Sequence, residues 1–383
     1  MIRWNSDQNE LRQGLAQWGE ALSAGHIEAD ERAAFSPDKW RLVGKTGLLA
    51  LPFPEEYGGL GQSLLTTMYV LEGLGEHCRD AGLNFTATTS IASTGVPLAR
   101  FGTAAQKERY LPGICTGETI GAHAVTEPEG GSDAMAMATR AERDADGGHF
   151  TLTGSKAFVS NGPVADVIVV YARTRPEGGP LGITAFLVDR DTPGLTVGNP
   201  VKKMGLRTAP LAELYLDECR VPREAVLGRV GGGYLVLDHV MKREVLYSFI
   251  VNAGEMRHRL ERCVAYARER HAFGSPIGAY QSVANKIVDM KTGLETARRW
   301  LYDTGERLAA GEDVTMDVAI AKLLTSRANV AGALAAVQIF GGHGYMSEYG
   351  LEQELRNAVG GTIYSGTNEI QYTRIASLLG LGA

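Results

Sequence analysis

The chain has 383 residues, 44% hydrophobic and 21% charged, with 48 glycines and a formal net charge of −6. That length allows two or three domains with a large buried core. The acidic balance argues against a nucleic-acid partner, which asks for a basic surface, and glycines without a G-X-Y period exclude collagen.

The opening residues, Met1 to Gln8, lack the apolar run of a signal peptide. No run approaches the roughly 18 apolar residues of a membrane span; the most apolar piece is Val330 to Phe340. Cys78, Cys115, Cys219 and Cys263 stand far apart and form no C-x-x-C pair, which fits reduced thiols and neither a disulfide framework nor a metal site. A soluble cytoplasmic protein with no membrane partner is expected.

Leu11, Leu15, Trp18 and Leu22 recur at helical spacing. Ser36-Pro37-Asp38 predicts a helix start, an N-cap followed by proline at the first helical position. Thr103 predicts a second cap ahead of Ala104 to Tyr110. From about residue 120 the texture becomes β-rich: Phe150-Thr-Leu-Thr, Asp166-Val-Ile-Val-Val-Tyr, Ile183-Thr-Ala-Phe-Leu-Val and Glu213-Leu-Tyr-Leu stand between Gly, Pro and Asp turns. After Gly233 long helices are expected over roughly 234–270, 280–310 and 314–340, then a shorter one near the end. The order helices, strands, helices predicts an α+β architecture with regions 1–120, 121–229 and 230–383, and argues against a doubly wound sheet.

The usual nucleotide signatures are missing. No G-x-G-x-x-G follows a strand. Gly44-Lys45-Thr46 has Lys39 where a P-loop needs its upstream glycine, so it reads as a helix-terminal turn. Gly231-Gly232-Gly233 reads as a flexible connector into a helix.

Three other segments carry more. Val125 to Asp133 places adjacent glycines beside Thr126 and Ser132, where backbone amides and hydroxyls can approach a planar or phosphorylated ligand. Gln338 to Tyr345 closes a long helix with a glycine cluster, and taken alone is a C-cap. Ile363 to Gln371 is a polar turn in which Thr367 is placed to cap the last helix.

Together with Glu55-Glu56-Tyr57-Gly58-Gly59-Leu60-Gly61, Phe101-Gly102-Thr103, Gln106-Lys107, Tyr110-Leu111-Pro112, Gly154-Ser155-Lys156, Asn161-Gly162, Lys203-Met204-Gly205, Arg207, Arg270 and Phe273-Gly274, these segments run in register almost end to end. In this the chain resembles the acyl-CoA dehydrogenase family of flavoproteins. The resemblance implies an N-terminal helical domain, a middle antiparallel β domain and a C-terminal four-helix-bundle domain. It implies FAD between the middle and C-terminal domains, with part of the site supplied by a neighbouring subunit of a homo-oligomer, a tetramer. By the same resemblance Val125, Thr126 and Ser132 line the isoalloxazine and pyrophosphate region, Phe158 lies against the flavin, and Ser160 bonds its N5 edge. Arg270, Phe273, Gln281, Gln338 and Gly342 reach the FAD of the adjacent subunit, and Thr367 and Glu369 lie near its pyrophosphate and adenosine.

Members of the family remove a proton α to a thioester while a hydride leaves the β carbon for the flavin. A carboxylate in an apolar, water-poor pocket is the natural base. Many members carry it as the glutamate of Tyr-Glu-Gly-Thr; here the segment is Tyr364-Ser365-Gly366-Thr367, and a serine hydroxyl cannot replace it unaided. A minority place the glutamate on another helix, at the position of Glu244. Leu237, Met241, Glu244, Ser248 and Val251 share one helical face, so Glu244 is a carboxylate on a mainly apolar stripe and the expected base. Met241, Ser248, Tyr364, Ser365 and Gly366 are the expected substrate contacts.

Val245 stands where such members commonly have arginine, and His123 replaces a frequent aromatic residue. The pattern is similar to a subgroup that oxidises prolyl groups on a peptidyl carrier protein towards pyrroline or pyrrole thioesters. Arg257, His258, Arg259, Arg262 and Arg268 could dock an acidic carrier, but Glu255, Glu261 and Glu269 beside them favour a solvated, self-compensated face. The alternatives are a short- or branched-chain acyl-CoA dehydrogenase, a flavin monooxygenase on the same fold, and a non-catalytic relative that lost its base.

Overall fold

The computed structural model describes residues 2–381. Eight helices precede the sheet: α1 (Ser6–Ala16), α2 (Gly19–Ser23), α3 (His26–Arg32), α4 (Pro37–Lys45), α5 (Leu64–His77), α6 (Ala81–Thr89), α7 (Val96–Phe101) and α8 (Ala104–Thr116). Between α6 and α7 the chain passes through a π-helical turn, Ser90–Gly95. The predicted caps are present: Ser36 accepts from the Lys39 amide, and Thr103 forms a capping box with Gln106. The Leu11 to Leu22 stripe is split across α1 and α2, because Gly19 lies against the backbone of His77 where a Cβ would meet the carbonyl oxygen at 2.8 Å.

The sheet follows, with β1 (Gly121–Ala124), β2 (Arg140–Arg143), β3 (His149–Ser160), β4 (Val167–Arg173), β5 (Ile183–Asp189), β6 (Leu195–Val197), β7 (Leu211–Pro222) and β8 (Val226–Leu227). Its order is β6-β7-β3-β2-β4-β5-β8, with β1 also paired to β4. The antiparallel expectation holds for five ladders, but β1 and β2 both run parallel to β4, so the sheet is mixed. The reason is in the register. Gly121–Ala124 align with Val167–Val170, and Arg140 aligns with Arg173. β1 and β2 are thus one line of strand along β4, interrupted by an excursion over residues 125–139.

Alternation along β4 separates two cores. Val167, Val169 and Tyr171 face the helices, whereas Ile168, Val170 and Ala172 pack on the other side of the sheet.

The C-terminal helices are α9 (Gly233–Glu269), α10 (Gln281–Ala309), α11 (Thr315–Phe340), α12 (Gly342–Tyr345), α13 (Leu351–Gly360) and α14 (Asn368–Leu378), with a small hairpin of β9 (His271–Ala272) and β10 (Ser275–Pro276). α9, α10 and α11 pack on one another, and α13 and α14 lie against α11. By length and composition α11 could cross a membrane, which the sequence reading did not anticipate; it packs against α9, α10, α13 and α14 as a core helix. α5 crosses α9 at very close range. A Cβ on Gly75 would lie 2.0 Å from the Val251 carbonyl oxygen, and one on Gly254 would lie 2.1 Å from that of Glu72. Gly75→Ala is therefore expected to cost about 1–3 kcal/mol through backbone displacement. A lower urea midpoint at constant slope would report it, and an unchanged midpoint would show that the crossing opens freely.

Of the arginines expected on a self-compensated solvated face of α9, Arg268 is exposed, but Arg257, Arg259 and Arg262 are turned to other elements. Arg259 is buried and bonds Glu354 at 2.6 Å; Arg262 reaches the same carboxylate at 2.8 Å. Arg257 bonds Glu72 at 3.1 Å, and burial among Arg79, Arg262 and Arg259 pushes His258 down to about 4. Their acidic partners lie on α5 and α13 (Glu72, Glu76, Glu354), not one turn away on α9.

Candidate active site

A run of hydroxyl residues in α6 and the π-helical turn, Thr86, Thr88, Thr89, Ser90, Ser93 and Thr94, is buried. Buried hydroxyls need partners, and two of these bind the helical segment to the first strand. Ser90 Oγ accepts from the Gly121 amide at 3.1 Å, and Thr94 Oγ1 donates to the Ala122 carbonyl at 2.9 Å. The wider π turn also aims Ser93 at α9. Its hydroxyl donates to Glu244 Oε2 at 3.0 Å.

From the other side Ser365 donates to Glu244 Oε1 at 2.6 Å. Ser365 and Gly366 both have left-handed backbone conformations, φ 56° and 83°, and Gln371 Nε2 pins the turn by donating to both carbonyls. Strain at a non-glycine residue persists only where the surroundings over-determine it. Thr367 then caps α14 as predicted. His123 completes the cluster, with Nε2 3.4 Å from Glu244 Oε2.

Glu244, Ser93, Ser365 and His123 line a cleft of about 530 Å³. The excursion between β1 and β2 forms part of its wall. Lys156, fully buried, donates to Glu127 Oε1 at 2.8 Å and to the Val125 carbonyl at 3.1 Å. Glu127 also accepts from the Ala138 and Thr139 amides. Burial pushes Glu127 up, but Lys156 and these donors overcome it and hold the carboxyl below its ordinary value; burial takes Lys156 down to about 8.

β3 slips register between Lys156 and Val159, and Phe158 adopts φ 55° and stands 67% exposed on the cleft. A bulge of this kind re-aims a side chain. An aromatic ring held out at a strained backbone, with Met204 and Ile363 also exposed on the same cleft, suits a flat aromatic group stacking there.

The cleft gathers Glu244, Val125, Thr126, Ser132, Phe158, Ser160, Tyr364, Ser365, Gly366 and Thr367 from the expected set. Met241 and Ser248 are not on its wall. Met241 packs half-buried against the core, and Ser248 is buried with no partner for its hydroxyl among the described residues, because the stripe continues inward past Glu244. Arg270, Phe273, Gln281, Gln338, Gly342 and Glu369 are exposed and do not line the cleft, Phe273 at 97%. Sequence reasoning missed Phe85, Thr89, Ser93 and Arg356 and gave Lys203 and Met204 only as part of a motif; all six line the cleft. The dense run of Thr and Ser before Val96 was the readable signal for Ser93.

The comparisons with known proteins agree along the whole chain. Residues 5–118 match the N-terminal domain of acyl-CoA dehydrogenase, 122–219 its middle domain and 231–380 its C-terminal domain. The L-prolyl-[peptidyl-carrier protein] dehydrogenase of Pseudomonas fluorescens is 40% identical over 347 residues, 91% of each chain. The prolyl acyl carrier protein oxidase AnaB has 39% identity and a TM-score of 0.96, covering 99% of this chain and all of the other. PigA, solved with FAD and proline, has 34% identity and a TM-score of 0.96, covering 100% of this chain and 99% of the other. The chain belongs to the acyl-CoA dehydrogenase family, as an FAD-dependent oxidoreductase that dehydrogenates acyl thioesters.

Proposed function

We propose that the protein dehydrogenates an L-prolyl thioester held on a peptidyl carrier protein, with Glu244 as the base that takes the α proton. The observation that carries this is the company Glu244 keeps. Glu72 and Glu354, two other carboxylates of the helical core, are each held by arginines, and Asp30 and Asp80 by Arg356 and Lys39; Glu255, with no such pair among the described residues, does not line this cleft. Among the described residues Glu244 has no lysine or arginine within salt-bridge distance and meets only two hydroxyls and an imidazole. A carboxylate kept buried without a counter-cation, on a cleft, is equipped to accept a proton.

Bound FAD supplies the acceptor for the hydride that leaves the acyl group. Val125, Thr126, Ser132, Phe158, Ser160 and Thr367 are the residues of this chain that would hold it. Arg270, Phe273, Gln281, Gln338 and Gly342 are free to serve a neighbour's site, which supports a homo-oligomer, a tetramer by family likeness; Glu369 belongs with them as an exposed residue. Ser365 and Gly366 bound the space where the acyl group lies, with Tyr364 behind them donating to Asn252 at 2.9 Å. The 40% identity to a prolyl-carrier dehydrogenase supports the carrier-bound prolyl substrate, and a cytoplasmic setting fits that substrate.

The test is anaerobic flavin bleaching with a prolyl-loaded carrier protein and a panel of acyl-CoA thioesters. Bleaching by the prolyl carrier alone is expected. Bleaching by a CoA thioester instead would return the protein to ordinary acyl catabolism.

A further inference from the structure

His123 is the least expected member of the cluster. Ala122 and Ala124 of β1 enter the core beyond the sheet, so strand alternation sends His123 the other way, towards α9. Its ring lies edge-on to Tyr171, with centroids 6.5 Å apart, and it lines the cleft beside Glu244. Nδ1 is sealed from solvent and has no hydrogen-bond partner among the described residues. A proton placed there would be a buried, unsatisfied donor, so it is cheaper on Nε2, where it points at Glu244 Oε2.

The hydrogen-bond inventory of the cleft floor then follows. Glu244 Oε2 accepts from Ser93 and faces the His123 N–H, and Oε1 accepts from Ser365. Both serine hydroxyls have spent their proton on the carboxylate. Each keeps lone pairs, and so does the carboxylate, which offers about four acceptor directions in all. Around Glu244 the side-chain donors of Ser93, Ser365 and His123 are all turned to the carboxylate, so what these four residues leave for a ligand is acceptors. A hydrocarbon acyl group leaves those acceptors dry, at a cost. An acyl group with an N–H beside the α carbon satisfies them. A phenyl ring in place of the imidazole would release Oε2 and let the serine donors swing, dissolving the arrangement.

We propose that His123, acting with Ser93 and Ser365, is the specificity-determining residue that makes this cleft select a cyclic α-amino acyl group over a carbocyclic group of the same shape. The inference rests on the prolyl-thioester reading, and it assigns His123 a positioning role: it acts through Glu244 and the two hydroxyls.

The test compares a carrier protein loaded with a prolyl or a cyclopentanecarbonyl group, which differ by the ring nitrogen. Holoenzyme is followed by anaerobic flavin bleaching, and calorimetry gives dissociation constants for the matching unreactive pantetheine amides. The wild type is expected to favour the nitrogen-bearing partner by roughly 10- to 100-fold in both measurements, as for a site whose polar groups are left unpaired by the analogue. His123→Phe should bring both ratios to within about threefold of unity, and His123→Gln, which keeps an N–H donor, should recover part of the difference. Equal ratios in the wild type, or a preference undiminished in His123→Phe, would overturn the proposal. The wild-type comparison decides even if the phenylalanine variant loses FAD. A wild type bleached by CoA thioesters and by neither loaded carrier would overturn the prolyl reading itself, and this inference with it.

Discussion

Glu244→Gln is expected to give yellow, folded protein with unchanged FAD content whose substrate-driven bleaching is slower by about 10²- to 10⁴-fold, the usual contribution of a positioned general base. Glutamine keeps the shape, and its amide can still meet the Ser93 and Ser365 hydroxyls that now bond the carboxylate. What it loses is the capacity to hold the α proton. Rapid-mixing absorbance at the flavin band, at saturating substrate, would measure the effect. A rate within a few-fold of the wild type would remove Glu244 from the chemistry, whatever its place in the cleft.

The second large effect concerns stability in acid. Glu72 is fully buried; it bonds Arg12 at 3.2 Å, Arg257 at 3.1 Å and Tyr302 at 2.7 Å, and Arg298 as well. Glu354 is shared by Arg79, Arg259 and Arg262. Burial pushes both carboxyls up, but the arginines prevail and hold each at about 2, below the ordinary 4.5. A carboxyl lowered on folding contributes stability that is fully present above its unfolded value and is lost as pH falls towards the folded one. Thermal stability is therefore expected to drop steeply between about pH 4.5 and pH 2.

Glu255 works the other way. Burial raises it to about 7 against the pull of Arg259, so its contribution is present below its ordinary value and lost as pH rises through 7. Glu72→Ala leaves Arg12 and Arg257 to share Glu76 and Arg298 with Glu295 alone, and removing one partner of a buried pair costs about 3–5 kcal/mol. The variant should melt far below the wild type at pH 7 and lose less on acidification. A full wild-type acid transition in Glu72→Ala would show that this cluster is not its source.

Much of the fold was legible because its signals are local. Ser36, Thr103 and Thr367 cap helices through their own side chains. β1 and β2, at four residues each, are too short to show alternation, and their parallel alignment with β4 is a property of distant pairing. The α9 stripe was readable, and Leu237, Glu244, Ser248 and Val251 are indeed buried. The stripe does not say where the cleft begins, so Ser248, one turn beyond Glu244, passed for a substrate contact. Nor could helical spacing separate the arginines of α9 that meet Glu72 and Glu354 from a solvated set, since their partners lie far away in the chain. The run of Thr and Ser before Val96 marks a polar segment, but the reach of Ser93 to Glu244 across 151 residues depends on a π turn that the run does not itself specify.

The contact between Ser365 Oγ and Glu244 Oε1, at 2.6 Å, has a geometric meaning beyond hydrogen bonding. Two stretches of backbone, one in a long helix and one in a strained turn, deliver side chains to the same point in space. That point can be furnished from either anchor, and occupying it from one forecloses the other, because two carboxylates so close could not both be charged. Where the acid sits in the chain is thus free to wander while its place in the cleft stays fixed.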